Sequence, residues 1–370
     1  MLTLRGDVVD DLYDGAIGTE YWGFTQKDLD EGGDYLKTDE EVQVNENALE
    51  KGQYVDIDHM AAVLDGNLSV RIVGNITDWA GNRVAGRKYD AVIKPWLGHV
   101  MRTPRVGVYV YADRAVEKSS VELAARYIDE ILANETYGQK IADGITKLHA
   151  GLAIIAYGHH AYMQPGMRDV YGANSHQYLY VEGFGGGIAQ TSESNVLRDK
   201  VFTRYDNEFI LGHEFGHTIH LSGMEVYCPE LYEEEGDTYE AVVGGKGLWG
   251  NSYAGSNFEE YFATLSDIWH GTMRESTDGT FNGTWGPVNT REELARYDID
   301  GFNLMKKVYE NGSETMFAGT AWESNLGPDI YDIDGSLRQT AAGGGSGGCN
   351  VGAGGAFLLL LALPFALRRK

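Results

Sequence analysis

The sequence predicts an α+β fold, and three observations predict it. Short β-type runs alternate with turns between Leu68 and Tyr111, helical spacing takes over from Ser119, and an apolar run at Leu152–Ala156 puts a buried strand among the helices. With 370 residues, 43% of them hydrophobic, the chain can bury a core in one large domain or two modest ones. The expected organisation is a β-rich region over 1–115 and a domain over 116–340 with a central helix and a small mixed sheet. A Gly-rich linker over 341–350 and a short apolar segment over 351–370 follow.

Residues 1–65 are acidic and irregular. Leu68–Ile76, Tyr89–Ile93 and Val106–Tyr111 read as strands, with Asp65-Gly66 and Ala80-Gly81-Asn82 as turn signals. Ser119-Ser120 is expected to cap a helix that aligns Val121, Ala124, Ala125, Ile128, Ile131 and Leu132 on one face. A second helix is expected over Gln139–His149, then the buried strand at Leu152–Ala156. Gly183–Gly187 breaks the pattern and leads into Ile188-Ala189-Gln190-Thr191-Ser192, expected to be an edge strand. The most strongly patterned helix spans Asp206–Leu221 and ends near Gly223; later helices are expected over Asn257–Trp269 and Gly301–Glu310. No internal repeat of fixed period is present.

The net charge of −25, from 55 acidic against 30 basic residues, argues against a nucleic-acid partner, which Lys and Arg would have to hold. A solvated, self-repelling surface is the plain reading of the acidity. The two cysteines, Cys228 and Cys349, form no disulfide framework. Met1–Asp7 does not read as a basic leader followed by an apolar run, whereas the other end carries a distinct pattern. Gly343–Gly348 is a flexible linker, Cys349 follows, an uncharged apolar run covers Val351–Leu367, and Arg368-Arg369-Lys370 ends the chain. This tail resembles the C-terminal sorting signals of bacterial surface proteins of the GlyGly-CTERM, MYXO-CTERM and Synerg-CTERM types. The resemblance implies export to the extracellular side or the cell surface, transient membrane contact, and processing near Cys349 by a sorting protease. Export also calls for a signal peptide upstream of the present start.

His213-Glu214-Phe215-Gly216-His217 is the chemically loaded segment. Residues i and i+4 share one face of a helix, so His213 and His217 can both offer a ring nitrogen to one ion. Glu214 then sits beside the ion, where a carboxylate can take a proton from water. Zinc accepts imidazole and carboxylate and leaves a fourth position open in catalytic sites. The metzincin continuation fails, because His220 and Gly223 stand where that pattern needs Gly and His. Glu260 is the candidate third ligand, since the apolar Tyr261-Phe262-Ala263 beside it suits a buried helix whose carboxylate needs a cation. Glu259 fits a solvated helix start. Tyr253, seven residues before Glu260, can donate to an oxyanion or be an ordinary tyrosine among 23. His220 reads as a residue of the cleft or behind the ligands, or as a fourth ligand.

Taken together, His213–His217 followed by Tyr253 and Glu260 resembles the gluzincin zinc metallopeptidases of the anthrax lethal factor and Pro-Pro endopeptidase group. The stretch Gly185–Gly187, Thr191–Leu197 and His213–His220 also resembles a group of secreted metallopeptidases of bacteria and animals. The resemblance covers roughly residues 119–310. It implies a zincin-like domain with His213, His217 and Glu260 as zinc ligands, Glu214 as general base and acid, and Tyr253 as oxyanion donor. It also implies that an extended peptide lies along Ile188–Ser192 by strand addition. Thr264 stands where many gluzincins carry an acidic residue behind the ligands, and Asp267 is the candidate substitute.

The function expected is therefore zinc-dependent hydrolysis of peptide bonds in an extracellular protein or peptide. The alternative is a surface adhesin with a closed, structural zinc site completed by His220. Asp298-Ile299-Asp300-Gly301 and Asp332-Ile333-Asp334-Gly335 lack the distal Glu of a calcium loop and read as caps and turns. His159-His160 reads as a loop.

Overall fold

The computed structural model describes residues 50–56, 97–148, 150–161, 180–310, 316–323 and 330–338, with Tyr178 and strand residues at 70–71, 76–77, 83–84 and 88–89. Residues 1–49 and 57–65 of the acidic N-terminal stretch, the Gly-rich linker, Cys349 and the apolar tail lie outside the described residues. Among the described residues, no helix is long and apolar enough to cross a membrane.

The strands are β1 (Tyr54–Asp56), β2 (Val70–Arg71), β3 (Ile76–Thr77), β4 (Arg83–Val84), β5 (Lys88–Tyr89), β6 (Leu97–Arg102), β7 (Tyr109–Asp113), β8 (Gly151–Ile155), β9 (Gly183–Phe184) and β10 (Ile188–Ser192). β2 pairs with β5 and β3 with β4, both antiparallel, in the region where β structure was expected. The main sheet is mixed, in the order β1-β6-β7-β8-β10-β9. β7, β8 and β10 run parallel, and β1, β6 and β9 pair antiparallel to their neighbours. β7 and β8 are buried along their whole length, which matches their near-continuous apolar sequences. The sheet thus crosses the boundary expected at 115: β1, β6 and β7 belong with β8–β10 rather than to a separate module.

The helices are α1 (Lys118–Ile131), α2 (Gly138–Lys147), α3 (Glu193–Val196), α4 (Ile210–Thr218), α5 (Pro229–Tyr239), α6 (Phe258–His270), α7 (Arg291–Tyr297) and α8 (Ile299–Tyr309). α1 buries Val121, Ala124, Ala125, Ile128 and Ile131, the face its spacing predicts. Its start differs from the expectation. Ser119-Ser120 does not cap it; Glu117 holds the cap position, and Ser120 Oγ instead donates to the buried Glu193 carboxylate at 2.7 Å. α4 continues directly into a π-helical turn over Ile219–Met224. There Gly223 comes so close to Ile141 of α2 that a Cβ would lie 2.5 Å from Ile141 Cγ2. α7 carries a reciprocal Thr290–Glu293 cap. Asp298 caps α8, and Asp332 and Asp334 sit in a turn, as expected for both Asp-rich fragments. One core joins α1, the inner face of the sheet, α4, α6 and α8.

Candidate metal centre

The start of α4 is fixed by a side chain from elsewhere. Ile210 N donates to Asn195 Oδ1 at 2.9 Å, and Asn195 Nδ2 donates to the carbonyls of Tyr205 and Glu208. One carboxamide therefore satisfies a free helix N–H and two carbonyls of the approach segment. Two glycines one turn apart, Gly212 and Gly216, then form the face that meets α6. A Cβ at Gly216 would stand 3.2 Å from Ala263 Cα, and one at Gly212 would stand 2.9 Å from Asp267 Oδ1. Without side chains there, α6 lies close enough for Glu260 to reach across to both histidines.

Glu260 sits in the first turn of α6, which Asn257 caps by accepting from Glu260 N at 2.8 Å. Glu260 Oε2 lies 3.1 Å from His213 Nε2 and 3.5 Å from His217 Nε2. The three residues are buried, and their donor atoms all lie within 4.8 Å of one another. This is a donor set that can hold a metal ion, and two imidazoles with one carboxylate suit zinc. Burial works against a charge on His213, yet its bonds to Asp267 and Glu260 outweigh this and raise its pKa well above the ordinary imidazole value. Burial likewise opposes the charge on Glu260, but the two histidines hold it below the usual carboxylate range. A proton on His213 and a cation at the ligand point are thus alternative ways to neutralise the same buried carboxylate.

One unmatched oxygen supports the fit of a cation. Glu214 Oε1 is buried without a hydrogen-bond partner, a costly state for a carboxylate. Glu214 is pushed to about 7 by burial, with Glu260 and Glu208 adding and the two histidines opposing. Asp267 Oδ2 lies 3.4 Å from His213 Nδ1, where it orients the ring; this is the place expected for Asp267. Glu208, which carried no signal in the sequence, joins the same pocket. It is pushed to about 7 by burial, and its Oε2 accepts from Trp285 Nε1 at 3.2 Å. Glu208, His213 and Asp267 form a second group of close donor atoms, but it shares His213 with the first and uses the opposite side of its ring.

Tyr253 is half-buried, its ring centroid 6.0 Å from that of His213. Burial and the charges of Glu260 and Glu214 raise its pKa far above the usual phenol range, so its O–H stays a donor. Glu259 is partly exposed at the start of α6, as a solvated helix start requires.

His220 is not where the sequence reading placed it. Its Nδ1 lies 2.8 Å from Glu235 Oε2 of α5, both residues are fully buried, and Phe258 and Tyr232 pack on the ring. It does not join the metal donor group, so a site closed by His220 as fourth ligand does not form. Burial drives His220 down to about 3 and Glu235 well above the usual carboxylate value.

Ile188–Ser192 is not an edge strand either. β8 pairs with it along its full length on one side, and β9 pairs at Gln190 and Thr191 on the other. A strand buried at Ile188–Thr191 needs its backbone groups matched on both sides. Among the described residues, β9 is the outer strand, and the glycines of 183–187 hid it. They also let it lie on the metal helix: a Cβ at Gly185 would stand 2.3 Å from His217 Cδ2, and one at Gly183 2.8 Å from Glu214 Cγ. His159 lies in a loop as expected and bonds to Asp113. Cys228 is buried.

No family model matches this chain, and no curated protein matches it. Among solved structures, the PRO-PRO endopeptidase (PPEP-2) from Paenibacillus alvei is similar at 13% identity and a TM-score of 0.34. The match covers 54% of this chain and 97% of that one. A likeness of this size carries no weight for function, which rests on the residues of the site.

Proposed function

We propose that the chain is a zinc-dependent endopeptidase. The observation that carries this reading is the convergence of His213, His217 and Glu260 donor atoms within 4.8 Å, with the unmatched Glu214 Oε1 beside them. When bound there, zinc supplies Lewis acidity toward a peptide carbonyl and water. Glu214, adjacent in sequence to the first ligand, takes a proton from the attacking water at its carboxylate and passes it to the leaving nitrogen. Tyr253 donates its O–H to the oxygen that gains negative charge. We further propose an extracellular protein or peptide as substrate, on the strength of the exported character of the 343–370 tail alone.

Glu214→Gln is the test. The variant should bind zinc as tightly as the wild type within a few-fold and lose hydrolysis of a fluorogenic peptide library by about 100-fold or more. Undiminished cleavage by the zinc-loaded variant would overturn the assignment.

A further inference from the structure

The turn that carries Tyr253 is held in an unfavourable backbone conformation by a residue far along the chain. Trp249 and Asn251 both have positive φ, +61° and +57°. Asn tolerates that region, but a bulky aromatic residue is a true outlier there and persists only where its surroundings fix it. Trp249 is fixed on two sides. Its indole Nε1–H donates to Asp298 Oδ2 at 2.8 Å, and its backbone N–H donates to the Tyr297 hydroxyl at 2.9 Å. The turn then closes tightly, with Ser252 N and Oγ both donating to the Trp249 carbonyl. Gly255 passes so close that a Cβ would stand 2.3 Å from the same oxygen.

Asp298 does more than receive the tryptophan. The same Oδ2 accepts the Tyr261 hydroxyl at 2.6 Å, while Oδ1 accepts Gly301 N at 2.9 Å and caps α8. Tyr261 follows Glu260 directly in α6. One buried carboxylate therefore ties the helix that presents the third donor to the turn that presents Tyr253.

Resting on the reading of the metal centre given above, we propose that Asp298 is a positioning residue for Tyr253. Through Trp249 it sets the distance of the phenol from the ion held by His213, His217 and Glu260. The carboxylate does this with two donors on one oxygen, so neither partner can turn away without leaving the other geometry unbalanced. Once the tether is cut, the Trp249 backbone is released from its left-handed conformation, and Tyr253, four residues on, moves with it.

The experiment uses the full chain loaded with cobalt(II) in place of zinc and labelled with 3-fluorotyrosine. The Tyr253 fluorine line is identified by its loss in Tyr253→Phe. The difference in its position between the cobalt and zinc forms reads its distance from the metal, independently of activity. Trp249→Phe keeps an aromatic ring and removes the indole donor together with part of the ring volume. Asp298→Asn is the second variant and turns an acceptor toward two donors into an amide. The proposal expects both folded variants to bind cobalt with the wild-type absorption spectrum and to lose most of the paramagnetic shift at Tyr253. A paramagnetic shift unchanged in either folded, cobalt-loaded variant would overturn it. Failure of the wild type to bind cobalt would instead contradict the metal centre itself, and the proposal would fall with it.

Discussion

At the residue scale, the centre is set by where side chains are missing as much as by where they are present. Gly185 lies against the His217 ring so closely that any Cβ must displace one of them. Gly185→Ala should therefore weaken zinc binding by about tenfold or more and, as overpacking, cost ~2 kcal/mol of stability. Titration against a chromophoric chelator checks the first, and thermal denaturation the second. The i, i+4 spacing of the histidine pair made His213, Glu214 and His217 legible in the sequence, because helix periodicity alone puts them together. Glu260 was legible through its apolar neighbours. Glu208 and Asn195 were not, since neither lies at a spacing that chemistry requires; only the folded chain brings them to the start of α4. His220 was misplaced for a related reason. Its spacing from His217 told nothing of α5, whose Glu235 meets it in the core.

At the element scale, the decisive contact is between α4 and α6 through Gly212 and Gly216. Replacing Gly216 by Ala gains about 1 kcal/mol of helix propensity but meets Ala263 Cα at 3.2 Å, so the two effects nearly cancel. Gly216→Val has no such compensation, because β-branching lowers the propensity gain and adds bulk. It should push α6 outward, lower the melting temperature and weaken zinc affinity by about tenfold or more, since Glu260 moves with α6. Calorimetry of both variants separates these outcomes; a Gly216→Val protein with wild-type affinity would show that α6 is not what brings Glu260 in. Helices were the most legible elements: α1, α2 and α8 each bury one apolar stripe, and α4 and α6, buried nearly all round, are rich in apolar residues. β9 was not legible, as two residues followed by three glycines carry no period. Without β9, Ile188–Ser192 looked like the sheet's border.

At the scale of the whole molecule, the centre concentrates buried acid in a chain already at −25. Burial raises Glu208 and Glu214 to about 7, and it raises Asp267 and Glu235 as well. A carboxylate whose folded pKa is raised contributes stability below its unfolded pKa and loses it as pH rises through the folded value. The metal-free protein should thus be less stable at pH 8 than at pH 5, by ~3 kcal/mol for a shift the size of that of Glu208. His213, also raised, acts in the same direction; the depressed His220 and His270 oppose it between pH 5 and the ordinary imidazole value, and Glu260 opposes it only below the usual carboxylate range. Glu208→Gln should flatten this slope in urea titrations of the metal-free protein, and an unchanged slope would assign the pH dependence elsewhere. Added zinc should reverse the trend, because binding displaces protons and strengthens as pH rises. The sheet order, which crosses the boundary expected at 115, was beyond the sequence, since long-range pairing of β7 with β8 leaves no local mark. The central claim is that His213, His217 and Glu260 hold one zinc ion, and metal analysis with X-ray absorption on the purified protein tests it most directly. The account predicts one zinc per chain, bound by two imidazoles and a carboxylate, and lost in a His217→Ala variant that keeps its helical circular dichroism. A wild type that takes up no zinc, or a folded His217→Ala that retains it fully, would contradict the account.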